Sequence, residues 1–397
     1  MTPSYVLTVN AGSSSLKFSA FEHVPGAPPL EIASASISDI HKDPHIACTI
    51  EGVDQSKAAS VAVTHATSPS PGMIVAMATF LTHHLQPRHI AAIGHRIVHG
   101  GLAFTGPVVA TDAVLESLSG LSCLAPSHQP HNLAAVHALE VAMPGIVQTL
   151  SFDTAFHHTQ PRLAQLYALP RALSDSGILR FGFHGLSYAH VSQIRDEIFG
   201  RLTHNRTVVA HLGSGASACA LLDGRCVATT MGLTALDGLP MATRCGDLDP
   251  GVVLHLIQDL GLSPDDTNDL LYNKSGLLGL SGLSSDMRVL RQSDSPNARE
   301  ALDVYAYRVA REIGSLVTAL RGLDALVFTA GIGQNDADAR REICDHLSWL
   351  GVELDTSANA CSEKIISSGG SRVAVAVVPA NEERVIAGEA IALTLPA

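Results

Sequence analysis

Two short stretches decide the fold: NAGSSSLKFSAF at residues 10–21 and HLGSGASACALL at residues 211–222. Each follows an apolar run that is typical of a buried strand, and each passes through a Gly/Ser turn into a second apolar run. Aligned without a gap, Gly12 matches Gly213 and Ser13 matches Ser214, an offset of 201 residues in a chain of 397. Two such units at half-chain spacing predict a duplicated α/β domain.

Further elements extend this pattern along the chain. Apolar runs predict strands over residues 5–9, 16–21, 90–98, 147–152, 207–211, 216–222, 225–230, 325–329 and 373–378. Helical periodicity predicts helices over residues 73–85, 131–143, 298–320 and 381–395, and a further helix from about residue 336. Residues 330–333 are predicted to form a loop. We expect an N-terminal domain over residues 1–152, completed by the C-terminal helix at about 383–397, and a second domain over residues 153–382.

Composition excludes several classes of protein. Hydrophobic residues make up 46% of the chain and charged residues 16%, which excludes a disordered, collagen-like or coiled-coil protein. The net charge of −12 argues against non-specific binding to nucleic acid. No run of about eighteen apolar residues predicts a membrane span, and the N-terminus does not read as a signal peptide. The seven cysteines form no C-x-x-C pair, so we expect reduced thiols, a cytoplasmic protein and no structural zinc site.

Common catalytic motifs are absent from the sequence. G-x-x-x-x-G-K-[ST], G-x-G-x-x-G and G-x-S-x-G do not occur, so a Walker A site, a Rossmann fingerprint and an α/β-hydrolase are not supported. His95 and His99 stand four residues apart, but on a predicted strand this spacing does not bring both rings onto one metal ion.

Three Gly-rich turns favour phosphate binding. They lie at residues 10–15, 211–215 and 331–335, each after an apolar strand, where backbone N–H groups can approach an anion closely. Lys17 lies just beyond the first turn and adds a positive charge. Any one of these segments is also compatible with an ordinary tight turn.

Charged residues in apolar surroundings are further candidates. Arg96 and Arg244 each require an anionic partner, which is either a ligand or an internal Asp. For Arg244, Asp247 and Asp249 are nearby in sequence and favour the internal pair. Asp153 ends a predicted strand, where side chains of α/β folds meet ligands. Glu382 and Glu383 begin the last helix, and either carboxylate with the Asn10 oxygen suits Mg²⁺, although an acidic pair there also matches the helix dipole.

Two other segments remain open between a functional and a structural role. His184 lies between glycines in the sequence GFHG, an unfavourable place for a core residue. Asp286 and Arg288 alternate in SSDMR and either bracket a purine base or form a plain surface pair.

The motifs together resemble one family closely, the acetate kinases of the sugar kinase/Hsp70/actin superfamily. The matching segments cover nearly the whole chain in the family's order: VNAGSSSLKF, GHRIVHGG, FDTAFH, GFHG, HLGSGAS, GLPMATRCGDLDPG, FTAGIGQN and PANEE. The resemblance implies two duplicated ribonuclease H-like (actin-like ATPase) domains with a cleft between them, and a homodimer. It implies reversible, Mg²⁺- or Mn²⁺-dependent transfer of the ATP γ-phosphoryl to acetate, giving acetyl phosphate and ADP, with no nucleic-acid or membrane partner.

The resemblance also assigns site residues by position. Asn10 and Glu382 match the metal ligands, Arg96 matches the arginine that binds the substrate carboxylate, and Asp153, His184 and Arg244 match the catalytic group. The matches to nucleotide-binding positions are Lys17, His211, Leu212, Gly213, Ser214, Gly215, Asp286, Met287, Arg288, Gly331, Ile332, Gly333, Gln334 and Asn335. The physical chemistry agrees, because phosphoryl transfer between two anions needs charge neutralisation and an ionised acceptor carboxylate needs no strong base.

Several positions depart from the family's usual pattern. Ser214 replaces Asn, Ala216 replaces Ser, Ala242 replaces Gly, Cys245 replaces Ser and Gln334 replaces Glu, while Leu186 and Tyr188 replace Thr and His. In the acyl pocket, Ser127 stands where an apolar residue is usual and Ala235 where proline is usual. We therefore keep a propionate, butyrate or other short-chain carboxylate kinase as an alternative. The sequence also leaves open a non-catalytic nucleotide switch of the actin/Hsp70 type and an inactive paralogue.

Overall fold

The computed structural model describes residues 4–12, 15–38, 45–50, 70–200 and 205–395; Ser13 of the first turn lies outside them. Its strands are β1 Ser4–Ala11, β2 Leu16–Glu22, β3 Leu30–Ser38, β4 His45–Ile50, β5 His89–Ile97, β6 Val108–Val109, β7 Gln148–Phe152, β8 Arg206–Leu212, β9 Ala216–Leu222, β10 Arg225–Thr229, β11 Ala325–Thr329 and β12 Ala374–Val377.

The helices follow in chain order. They are α1 Pro71–His84, α2 Asp112–Ser119, α3 Gln129–Ala142, α4 Arg162–Gln165, α5 Arg171–Asp175, α6 Gly185–Phe199, α7 Pro250–Gln258, α8 Pro264–Asn273, α9 Gly276–Ser281, α10 Met287–Arg291, α11 Pro296–Leu320, α12 Ala330–Asn335, α13 Ala337–His346, α14 Thr356–Ala360 and α15 Glu382–Thr394. No helix of the described residues is long and apolar enough to cross a membrane.

The chain forms two compact units. The first comprises Met1–Phe156 and Asn381–Ala397, and the second comprises His157–Ala380. These limits differ by a few residues from the domain limits expected from the sequence. Asp153 belongs to the first unit because its backbone N–H donates to the Ile97 carbonyl at the end of β5 (3.0 Å), and Glu382 belongs there because it bonds to Asn10 on β1.

In the first unit the strand order is β4-β3-β2-β1-β5-β7-β6. Strands β1, β5 and β7 are parallel, while β2 and β3 run antiparallel to their neighbours. Strand β1 is apolar over most of its length because both of its faces are covered. Tyr5, Leu7 and Val9 belong to the core that includes residues of α1 and α3, whereas Val6 packs with residues of α15.

The second unit repeats this topology. Its strand order is β10-β9-β8-β11-β12, with β8, β11 and β12 parallel and the other two antiparallel. This is the order and direction of β3-β2-β1-β5-β7, so the duplicated α/β fold predicted from the two stretches is confirmed. The long helix α11 packs on β8, β9 and β10.

The ungapped match of the two stretches is wrong beyond the turn. Ala11 pairs with Leu16 across the first turn, whereas Leu212 pairs with Ala216 across the second. The second turn is therefore one residue shorter, and the structural counterpart of Lys17 is Ser217 rather than Ala218.

The prediction of a loop at the Gly-rich residues 330–333 is wrong. It forms the first turn of α12 rather than a loop. An added Cβ at Gly333 would lie 3.3 Å from the Phe328 backbone carbon and 3.7 Å from the Ala210 carbonyl oxygen. The glycine therefore permits a helix to lie directly against the strands, which the sequence alone does not distinguish from a loop.

Candidate active site

One cluster of candidate residues lies in the first unit, where neighbouring parallel strands end. Asn10 lies near the end of β1, Arg96 near the end of β5, and Asp153 follows β7 directly. Helix α15 brings Glu382 and Glu383 to the same edge, where Asn10 Nδ2 donates to both carboxylates at 3.1 Å. The sheet thus brings together Asn10, Arg96, Asp153 and Glu382, as expected for the C-terminal ends of parallel strands.

Arg96 is surrounded by oxygen atoms. Its Nε donates to Asp153 Oδ1 at 3.0 Å and its Nη2 to Asp153 Oδ2 at 2.6 Å, while its Nη1 donates to Asn10 Oδ1 at 3.1 Å and lies 3.6 Å from Glu382 Oε2. Burial acts to lower the pKa of Arg96, but the nearby carboxylates outweigh it and raise that pKa above its usual value. The guanidinium is therefore permanently charged.

The cluster carries an excess of negative charge. Three carboxylates, from Asp153, Glu382 and Glu383, face one guanidinium, and Asp153 and Glu382 are buried. Excess negative charge away from water is costly without a cation. Carboxylate and amide oxygens are the donors that Mg²⁺ and Mn²⁺ prefer, so the residues present fit a hard divalent cation.

Two buried polar residues that sequence reasoning missed hold the strand ends in place. Asn132 on α3 accepts from the Val98 N–H at 3.0 Å and donates to the Ala11 carbonyl at 2.6 Å. Gln129, one turn earlier, accepts from the His99 N–H and donates to the His99 carbonyl. Polar residues three positions apart on the buried face of a helix are the signal that could have identified them.

His95 and His99 are structural. The Nε2 atom of His95 lies 2.6 Å from Gln148 Oε1, and burial lowers the pKa of His95 to about 4 although this hydrogen bond acts to raise it. His99 Nδ1 accepts from the Gly101 N–H at 2.9 Å. Both rings therefore take part in hydrogen bonds within the first unit. Lys17 lies opposite Asn10 on β2, with its side chain exposed.

A second cluster of candidate residues lies in the second unit, around two stacked histidines. The rings of His184 and His211 are 4.2 Å apart and inclined by 14°. His184 Nδ1 lies 2.8 Å from Ser217 Oγ, which also bonds to the hydroxyl of Tyr188, and His211 Nδ1 lies 2.8 Å from Ser187 Oγ. Each ring is thus oriented through Nδ1, and His184 has the left-handed backbone (φ 58°) that begins α6.

The Gly-rich turn after β8 lies against these groups. An added Cβ at Gly215 would lie 3.4 Å from His184 Nε2 and 3.8 Å from Arg244 Nη1. Gly213 closes the turn by donating from its N–H to the Gly215 carbonyl at 3.1 Å. The structure therefore brings His184, His211 and Arg244 together around this Gly-rich turn.

Arg244 does not form the internal ion pair that its neighbours in sequence suggested. Asp247 pairs with Arg308 at 3.5 Å, and Asp249 caps helix α7 by accepting from the Gly251 N–H. Arg244 Nη1 instead donates to the Ala235 carbonyl at 3.1 Å, and none of the described carboxylates pairs with it. Burial lowers the pKa of Arg244, which shows that its charge lacks full compensation.

The loop that carries Arg244 is fixed by Gly276 at the start of α9. Gly276 has φ +60°, and an added Cβ there would collide with the Met241 carbonyl oxygen and lie 2.7 Å from that of Arg244. The Leu277 N–H donates to the Met241 carbonyl, and the Ser275 N–H donates to that of Thr243. Residues 241–244 therefore rest on backbone that only glycine allows to approach.

The two other segments predicted to bind the nucleotide, at residues 331–335 and 286–288, are stabilised by different interactions. The carbonyls of Gly333 and Gln334 at the end of α12 accept from the fully buried Arg340 at 2.9 and 2.8 Å. Sequence reasoning missed Arg340, which gave no motif signal. In the segment at the start of α10, Arg288 pairs with Asp286 at 2.7 Å on the surface, which favours the plain surface pair in this structure, and Met287 is buried.

Comparison with known proteins gives one consistent result. A model of the acetokinase family matches residues 5–388. The chain belongs to the acetokinase family. The acetate kinase of Rhodopseudomonas palustris is 45% identical to it, over 96% of this chain and 96% of that protein. The acetate kinase of Methylocella silvestris is 42% identical, over 98% of this chain and 97% of that protein. The propionate kinase of Francisella tularensis superposes with a TM-score of 0.86 at 34% identity, covering 98% of this chain and 100% of that one. The acetate kinase of Porphyromonas gingivalis superposes with a TM-score of 0.83 at 33% identity, covering 98% and 99%.

Within the acetokinase family, the unusual residues of this chain lie in defined places. Ser127 is exposed and Ala235 is half-buried, with the Ala235 carbonyl bonded to Arg244. Tyr188 is buried, and its hydroxyl bonds to Ser217 beside His184.

Proposed function

We propose that the protein is an acetate kinase, which transfers the γ-phosphoryl of ATP reversibly to acetate and forms acetyl phosphate and ADP. Membership of the acetokinase family makes it a phosphotransferase with a carboxylate acceptor. The observation that carries the proposal is Arg244, a partly buried guanidinium that pairs with none of the described carboxylates and lies with His184 and His211 around a Gly-rich turn. Such a set neutralises an anionic group without competing internal ions.

The residues of the second unit are assigned to the phosphoryl group and the nucleotide. Arg244 and His184 stabilise the charge on the transferring phosphoryl, since its equatorial oxygens carry most of the charge in the transition state. Orientation of the His184 ring by Ser217 supports this role, because a preformed donor needs no rearrangement during the reaction. The turns at residues 211–215 and 331–335, with residues 286–288, are assigned to ATP.

The residues of the first unit are assigned to the acceptor and the metal. Arg96 binds the acetate carboxylate, which is already ionised at neutral pH and needs no general base. Asp153 orients Arg96 through their bidentate pair. Asn10 and Glu382 would hold Mg²⁺ or Mn²⁺, and Lys17 contacts phosphate. The metal ion, when bound, neutralises charge on the phosphate oxygens.

We place the protein in the cytoplasm as a homodimer. All seven cysteines are free thiols, which suits a reducing compartment. Helix α7 has an apolar sequence yet none of its residues is buried, and Val252 and Leu254 are 40% and 53% exposed. An apolar helix face of this kind supports a contact with a second copy of the chain.

Acyl preference is the finer part of the proposal. Ser127 and Ala235 replace an apolar residue and a proline, so we expect a larger and more polar acyl pocket than is usual in the family. Propionate or a polar short acid should then compete with acetate, and the likeness to the Francisella tularensis propionate kinase favours this second candidate.

One assay tests both the proposed acetate kinase activity and the proposed acyl preference. Trapping of acyl phosphate with hydroxylamine is measured with MgATP and acetate, propionate or glycolate, and kcat/KM is compared. Acetyl hydroxamate that depends on both acetate and ATP supports the acetate kinase. ATP hydrolysis without any hydroxamate would indicate a nucleotide switch, no turnover of ATP would indicate an inactive paralogue, and strict preference for acetate would contradict the enlarged pocket.

A further inference from the structure

A buried cluster in the second unit has no part in the chemistry described above. It consists of His157, Cys219 and Cys226, each at most 1% exposed. The Sγ atoms of the two cysteines are 3.3 Å apart, and Cys226 Sγ lies 3.2 Å from His157 Nδ1. Among the described residues this is the one group of three or more His, Cys, Asp or Glu side chains whose ligand atoms all lie within 4.8 Å of one another.

We propose that His157, Cys219 and Cys226 form a binding site for a zinc ion. Two thiolates and one imidazole are a ligand set that Zn²⁺ accepts readily. Two thiolates with a neutral histidine also balance the charge of a divalent ion, which a site with no exposure to water requires. The three side chains fill three positions of a tetrahedral ion.

The arrangement around His157 supports metal binding. Its Nε2 lies 2.9 Å from the Phe183 carbonyl, an acceptor that places the proton on Nε2 and leaves the Nδ1 lone pair directed at Cys226. A hydrogen bond from the far nitrogen to a carbonyl is the usual outer contact of a metal-bound histidine. Gly182, with φ +82°, gives the ring its space, since an added Cβ there would lie 2.8 Å from it.

The spacing of these residues in the sequence does not indicate a metal site. Cys219 and Cys226 are seven positions apart, which matches no common zinc motif, but they lie on the adjacent strands β9 and β10. Cys226 pairs in register with Leu221, two residues from Cys219, so both thiols lie on one face of the hairpin. His157 comes from the 3₁₀ turn Ala155–Thr159, which is anchored where Thr159 Oγ1 donates to the Cys226 carbonyl at 2.7 Å.

A bound ion would hold in place two segments that position His184. Ser217, which orients His184, lies two residues before Cys219 on β9. The Phe183 carbonyl that His157 contacts belongs to the residue preceding His184. A bound zinc ion therefore fixes both the strand and the loop that position His184. This role does not depend on the reaction that the protein catalyses.

Cobalt binding by the full-length protein tests the site directly. The protein is reduced, freed of metal by dialysis against a chelator, and titrated with Co²⁺ alone. We expect thiolate-to-cobalt charge-transfer bands that saturate at one equivalent per chain and disappear when Zn²⁺ is added. Cobalt bound at carboxylates gives no such bands, so the acidic cluster in the first unit does not interfere.

Variants distinguish the ligands from the other thiols. Cys219→Ala and Cys226→Ala should each abolish the bands and the rise in Tm that Zn²⁺ gives the wild type. Cys123→Ser and Cys361→Ser, at exposed cysteines, should retain both, and Cys344→Ala is the matched buried control. Absence of the bands from the folded wild type, or their persistence in folded Cys219→Ala, would overturn the proposal and leave a hydrogen-bonded thiol pair.

Discussion

Arg96 and Asp153 form a bidentate pair, with Nη2 of the arginine 2.6 Å from Oδ2 of the aspartate and Nε 3.0 Å from Oδ1. Sequence alone left Arg96 with two possible partners, an internal aspartate or an anionic ligand. The structure shows the internal pair, and it also leaves Nη1 directed at Asn10 and Glu382. The guanidinium has five N–H donors, and these hydrogen bonds occupy one each on Nε, Nη1 and Nη2. A substrate carboxylate bound by Arg96 would use the second N–H groups of Nη1 and Nη2.

Replacement of Arg96 tests its role in binding the substrate. In Arg96→Ala we expect kcat/KM for acetate to fall about 100-fold or more, the typical loss when one charged donor to a reacting anion is removed. Arg88→Ala, which removes a surface pair with Glu22 in the same unit, should change it little. Circular dichroism confirms folding. Unchanged turnover in a folded Arg96→Ala protein would remove Arg96 from the site.

Glu382 should determine the requirement for magnesium. Glu382→Gln keeps the size of the side chain but removes one of the two excess negative charges of the cluster, so we expect the Mg²⁺ concentration for half-maximal activity to rise about tenfold. Glu140→Gln, on the exposed face of α3, is the control. Superimposable Mg²⁺ titrations of Glu382→Gln and the wild type would show that this carboxylate holds no metal.

Gly276 and Gly282 form a matched pair for testing the Arg244 loop. Both have φ close to +60°, but an added Cβ would meet backbone oxygen only at Gly276, and at Gly282 nothing lies within 4 Å. Gly282→Ala should cost about 1 kcal/mol of stability from backbone strain alone. Gly276→Ala should cost more and should also lower kcat, because it displaces residues 241–244. Equal effects of the two variants in Tm and kcat would exclude the clash as the cause.

Elements that depend on local contacts can be predicted from this sequence, whereas elements that depend on contacts distant in sequence cannot. Strand β1 and the long helix α11 follow from local periodicity, and the sequence predicts their limits to within two residues. The sequence predicts a loop in place of the start of α12, because packing on β8 and the hydrogen bonds from Arg340 that stabilise this Gly-rich helix come from residues distant in sequence. No helix is predicted from the sequence at α6, whose polar Tyr188 bonds to Ser217 on another element.

Arg340 should be necessary for the stability of the second unit. Its guanidinium donates to the carbonyls of Gly333, Gln334 and Asn359, and it is 0% exposed. Arg340→Leu removes this donor from the Gly333 and Gln334 carbonyls, whereas the Asn359 carbonyl still accepts from the Ser362 N–H at 3.1 Å. Each carbonyl that stays buried without a donor costs about 1–3 kcal/mol, so we expect a large fall in the midpoint of urea unfolding. Arg341→Leu, at the exposed neighbour that pairs with Asp338, should shift it little. Similar midpoints for the two variants would contradict this assignment.

His95 should make the protein less stable in mild acid. Burial lowers its pKa from 6.5 to about 4 in the folded state. Between these two pH values, His95 is therefore protonated in the unfolded chain and largely neutral in the folded protein. The contribution of the neutral ring is complete above about pH 6.5 and is lost as the pH falls towards about 4.

Comparison of two variants isolates this effect. His95→Gln retains a hydrogen-bonding group near Gln148 but does not titrate. Between about pH 7.5 and about pH 5.5, wild type should lose about 1 kcal/mol of unfolding free energy relative to His95→Gln. His89→Gln, at an exposed position on the same strand, should follow the wild type at both pH values. If urea unfolding gives His95→Gln and wild type the same dependence on pH, His95 is protonated as readily in the folded protein as in the unfolded chain.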